Sequence, residues 1–118
     1  MALSTMFVLT RDINGYNGFG LPFCTDKYTA KLAGVAVSLT VPDNYKYWVA
    51  VFSIEPGVRV WVANNATAAV PAGATLAASN SELNPTARLV KANDVLSFVT
   101  PDTSADISVS FYALGNQP

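Results

Sequence analysis

The stretch YKYWVAVFSIEPGVRVWVA, residues 45–63, decides the reading of the whole chain. In an extended backbone, alternate side chains point to opposite faces. Trp48, Ala50, Phe52 and Ile54 therefore share one face, and Val49 and Val51 the other. Apolar residues on both faces predict a strand covered on both sides. Pro56-Gly57 predicts a tight turn, because Pro pre-sets φ and Gly can take a positive value. Beyond it Val58, Val60 and Val62 alternate with Arg59, Trp61 and Ala63, so the two runs are expected to form a hairpin.

The same period of two recurs on either side. Toward the N-terminus, residues 35–41 place Val35, Val37, Leu39 and Val41 on one face, a half-buried strand. Residues 28–32 read as a short strand, and residues 21–23 as an edge strand interrupted by Pro22. Asn14-Gly15 and Asn17-Gly18 predict turns with positive φ. Residues 4–11 form the first β run. Toward the C-terminus, residues 64–79 are rich in alanine but broken by Pro71 and Gly73. They read as a loop with a short strand near 74–77. Residues 81–85 predict a turn, and Asn84 before Pro85 is expected to be extended. Strands follow at 87–90, 95–99 and 106–114, with turns at Asn93-Asp94 and 101–104. In the last strand Ile107, Val109 and Phe111 point inward; Ser108, Ser110 and Tyr112 point outward.

Short strands divided by turn residues predict an all-β fold. The expectation is one domain spanning 1–118, an antiparallel β-sandwich or jelly roll of about eight strands with little or no helix, flanked by contact arms at both termini.

Hydrophobic residues make up 51% of the 118 positions and charged residues 13%. The charged share is about half the usual one, which predicts a surface partly covered by neighbours and a homo-oligomer. A net charge of −1 argues against nucleic acid, which needs a basic stripe, and against a polybasic membrane surface. No apolar run approaches the ~20 residues of a spanning helix. Residues 1–11 lack the basic start of a signal peptide. One cysteine, Cys24, excludes an intrachain disulfide and suits a reducing cytoplasm.

The chain contains no histidine, which removes Ser-His-Asp and Cys-His mechanisms and the commonest zinc ligand. Cys24 reads as a small buried residue. Most of the eight acidic residues stand beside turn formers, where Asp bonds to nearby backbone; Glu55 and Glu82 are the exceptions. Residues 14–20 hold three glycines but neither follow a parallel strand nor open a helix, so they read as a loop, not a phosphate cradle. Asn65-Ala66-Thr67 matches a glycosylation acceptor, idle without secretion. No catalytic residue, cofactor or metal site is expected. Exposed aromatics could anchor a protein interface, cover a sheet or stack on sugars.

Three stretches carry a resemblance: Val60-Trp61-Val62 followed by Thr67-Ala68-Ala69-Val70-Pro71-Ala72; Ser81-Glu82-Leu83-Asn84-Pro85-Thr86-Ala87-Arg88; and Val95-Leu96-Ser97-Phe98-Val99 leading to Ile107-Ser108-Val109-Ser110-Phe111-Tyr112. Residues 60–112, somewhat less than half of the chain, resemble a group of small virion proteins of tailed bacteriophages. The resemblance implies a non-enzymatic structural component. The leading expectation is a capsid decoration or cement protein that binds and stabilises the major capsid shell. It would sit on the capsid surface of the virion and be assembled in the bacterial cytoplasm. The alternatives are a tail, collar or head-fibre component, or a carbohydrate-binding module. The expected contact residues are Phe7, Tyr16, Phe19, Phe23, Trp61, Glu82, Arg88 and Tyr112, and the expected contact segments are 1–10, 14–23 and 115–118. Glu82 and Arg88 are expected to pair across the turn between them.

Overall fold

The computed structural model describes residues 6–7, 9–11, 17–19 and 23–114, the first three groups by backbone alone. Eleven strands occur among them: β1 (Met6–Phe7), β2 (Leu9–Arg11), β3 (Asn17–Phe19), β4 (Lys27–Leu32), β5 (Val37–Thr40), β6 (Tyr47–Ile54), β7 (Trp61–Asn64), β8 (Ser81–Leu83), β9 (Ala87–Lys91), β10 (Val95–Val99) and β11 (Ala105–Leu114). There is no helix among the described residues.

The eight strands β4 to β11 pair in nested order: β4 with β11, β5 with β10, β6 with β9, and β7 with β8, all antiparallel. Two further ladders, β6 with β11 and β7 with β10, join these pairs into sheets. One sheet runs β4-β11-β6-β9 and the other β5-β10-β7-β8. A long hairpin rolled so that its pairs alternate between two sheets is the jelly roll. β1 extends the first sheet by pairing in parallel with the end of β11, beyond β4. β2 and β3 form a separate two-stranded ribbon.

The core lies between the sheets. Trp48, Ala50 and Phe52 of β6 meet Val109, Phe111 and Ala113 of β11 on one side and Val62, Leu96 and Phe98 on the other. Edge-to-face ring pairs tie it together, Trp48 with Phe111 and Phe52 with Phe98, at centroid separations of 6.3 and 6.1 Å. Such geometry adds about 0.5–1.5 kcal/mol to each pair beyond its buried area. The Trp48 indole N–H donates to the Tyr45 carbonyl at 3.0 Å, so the ring is buried with its polar atom satisfied.

Several expectations change. Pro56-Gly57 does turn, with Gly57 at φ +83°, but it carries the chain from one sheet to the other and closes no hairpin. Asn17-Gly18 lies inside β3 and is not a turn; Asn14-Gly15 lies outside the described residues. Phe23 is in no strand. β5 is shorter than residues 35–41: Val35 precedes its first partnered residue, Val37, and is 77% exposed. The alanine-rich segment forms no strand near 74–77. Asn84 is left-handed, with φ +46°, because its own hydrogen bonds outweigh the preference imposed by Pro85.

Candidate functional site

A jelly roll has two sides on which the edges of its sheets face each other, and here the two differ. On one side the edge strands are β8 and β9. Register places Glu82 opposite Val62 and Arg88 opposite Ala50, so both charged residues start from the inward faces of their strands. They meet across the gap, with Arg88 Nε donating to Glu82 Oε2 at 2.8 Å. Beneath this pair is a groove of about 200 Å³ floored by Phe52, Val62, Val90 and Leu96. Inward-pointing charge is one way in which edge strands are kept from pairing with other chains.

Asn84 completes this rim. Its amide N–H donates to the Val60 carbonyl, its Oδ1 accepts from the Val60 N–H at 2.7 Å, and its Nδ2 donates to the Val58 carbonyl at 3.1 Å. The side chain thus continues the β7–β8 ladder past its last backbone pair. A left-handed conformation, tolerated by Asn, lets one residue make all three bonds.

On the opposite side the edges are β4 and β5. Their inward residues are Tyr28, Ala30 and Leu32 on β4, and Val37 and Leu39 on β5. With Phe98 and Ile107 they line a groove of about 180 Å³ whose wall carries no charged side chain. Tyr28 and Val37 remain exposed there. This groove is not anticipated from the sequence; its signal is the uncharged set of inward positions, Tyr28, Ala30 and Leu32 on β4 with Val37 and Leu39 on β5.

Part of the outer face of the second sheet is covered by its own chain, while Val95 and Leu83 on the same face stay exposed. Ala66 and Ala68 fold back over Trp61, Ala63 and Val99, and the Ala68 amide donates to the buried Ser97 hydroxyl at 2.9 Å. After this lock the chain leaves the body. Residues 69–80 are all exposed, with Leu76 wholly so. No charged residue lies between Arg59 and Glu82.

The expected contact residues scatter. Phe23 is 98% exposed. Trp61 is half-buried in the alanine cluster. Tyr112 does point to the outer side of β11, yet is 6% exposed and so is no free contact; burial, and then the nearby Cys24 sulfur, raise its ionisation above the ordinary phenol value. Tyr16 and segments 1–5, 12–16, 20–22 and 115–118 lie outside the described residues, as do the side chains of Phe7 and Phe19.

The acidic groups mostly hold backbone. Partial desolvation opposes ionisation of Asp94, but the Lys91 amide and the Asn65 and Asn64 side chains outweigh it and hold the carboxyl below its usual value. Asp102 is held low chiefly by the Arg59 amide, at 2.7 Å, and then by its guanidinium. Glu55 accepts from the Asp106 amide, and Asp106 pairs with Lys31 at 2.8 Å. Cys24 is half-buried and donates to the Phe111 carbonyl at 2.9 Å. Among the described residues, no three metal-ligating side chains gather at one point. The arrangement is equipped for contact: a stiff body, one latched rim, one open apolar rim and one projecting arm. No family model, curated protein or solved structure matches the chain.

Proposed function

We propose that the chain is a non-enzymatic structural protein of a tailed-phage virion, acting as a decoration or cement protein on the capsid. The observation that carries this reading is the placement of large apolar side chains on the outside of a rigid body with few charges. Phe23, Val35, Leu76, Leu83 and Leu89 are all exposed. Exposed apolar surface of this kind suits protein contact more than solvent. Doubly sheeted jelly rolls serve in viral capsid and lectin domains, and of these two uses the sugar-binding one has less support. A sugar platform needs open aromatic faces; Trp61, Trp48 and Tyr112 are engaged in packing, which leaves Phe23 and Tyr28 as the large exposed aromatics among the described residues.

A cement protein must resist shear while binding neighbours. Sheet ladders provide the stiffness, and apolar anchors and free strand edges provide the binding. The test is labelling of virions with an antibody raised against the purified chain. Regular label over the head supports the capsid role. Label confined to tail or collar moves the protein there, and absence of label from every particle rejects a virion role.

A further inference from the structure

We propose that the uncharged arm, residues 69–80, docks in the open groove between β4 and β5 of a second copy of this chain. The inference is independent of the virion reading, since it concerns what the purified chain does with itself.

The arm is built to be received. Residues 70–78 make no hydrogen bond among the described residues; the bonds at its base run from the Ala69 amide to the Ser81 hydroxyl and from the Ser81 amide to the Ser79 hydroxyl. Its side chains are small or apolar, and Val70 and Leu76 stand in solvent. Twelve extended residues span at most ~40 Å, so a folded-back arm reaches up to ~20 Å from its root.

Absence of charge singles out the receiver among the grooves of the body. The groove between β8 and β9 is crossed by Glu82 and Arg88. The shallow surface over β4, β6 and β11 carries Lys31, Glu55 and Asp106. The β4–β5 groove has no charged lining, and its walls are Tyr28, Ala30, Leu32, Val37 and Leu39 above Phe98. Its volume of about 180 Å³ compares with ~150 Å³ for a cavity that accepts a benzene-sized group, so one leucine fits. Each wall is an edge strand that pairs on one side only among the described residues, and its other side can take main-chain bonds from an extended segment. Donor arm and receiving groove are different surfaces, so each copy can give to one neighbour and receive from another. Contacts of this type close into rings or extend as lattices.

The experiment uses the full chain with Cys24→Ala. Leu76→Cys and Val37→Cys are made in separate proteins, mixed and mildly oxidised. The expected result is a heterodimer that forms at least tenfold faster than between Leu76→Cys and a control cysteine at Thr86. The double variant, Leu76→Cys with Val37→Cys, should give a ladder of interchain species. Equal rates at the two positions, or an intrachain disulfide in the double variant, would overturn the proposal. Without any cysteine change, sedimentation should show association that rises with concentration and is lost in Leu76→Asp; association unchanged by Leu76→Asp would also overturn it.

Discussion

The two rims of this sandwich are made from the same kind of edge strand and are finished in opposite ways. At β8 and β9 the inward positions carry Glu82 and Arg88, which meet over the gap. At β4 and β5 the equivalent positions carry Tyr28, Ala30, Val37 and Leu39. The first rim excludes a stranger because an entering strand would strip water from a charge pair. The second has no such penalty. The floors of the two grooves touch through the Phe52–Phe98 ring pair, so the core holds both rims while the rim residues decide what each rim does.

The sharpest way to break this comparison is Phe98→Ala, which removes one ring of the pair through which the two floors touch. Truncation of a buried Phe costs about 3–5 kcal/mol, and urea unfolding should show a loss of that size. Next comes Asn84→Ala. It deletes the two side-chain bonds at about 1 kcal/mol each and places a less tolerant residue in a left-handed conformation, for a total of about 2–3 kcal/mol. A loss below 0.5 kcal/mol would mean that the ladder does not need its side-chain extension.

Acid should act on the latched side too, since Asp94 anchors Asn64, a lining residue of that groove. Asp94 and Asp102 ionise more readily in the folded chain than in the unfolded one. Their contribution is complete above the unfolded value of about 3.9 and is lost as pH falls through the lower folded values. Stability should therefore decline below about pH 4, with a shallower slope in Asp94→Asn. Smaller still is the charge pair itself. Glu82 and Arg88 are about half exposed, so a double-mutant cycle should return about 0–1 kcal/mol, shrinking with added salt. On this account the pair is there for exclusion more than for stability.

The strands were legible wherever alternation and burial coincide. Trp48, Ala50 and Phe52 face the core as their spacing requires, and so do Ile107, Val109 and Phe111. What period two cannot reveal is which sheet a strand joins. Pro56-Gly57 looks the same whether it closes a hairpin or crosses between sheets, and crossing depends on distant ladders such as β6 with β11. The Glu82–Arg88 pair was foreseen from spacing, but its place over a groove was not, because β8 and β9 belong to different sheets. Tyr112 shows the converse error. Its outward position was read correctly, but the outer side of β11 is not solvent at that point. The alanine-rich segment is a loop, as Pro71 and Gly73 require, but without the short strand expected near 74–77, and no local pattern foretells that its first part covers Ser97 while the rest projects.

The central claim is that the open rim receives the arm of another copy. Amide hydrogen exchange at low and high protein concentration tests it most directly. The account predicts that the amides of residues 70 and 72–78, unbonded in the single chain, slow together with the β5 edge as concentration rises, while the β8–β9 rim stays unchanged. Exchange in the arm that is fast at every concentration, or protection that appears at the β8–β9 rim instead, would contradict it.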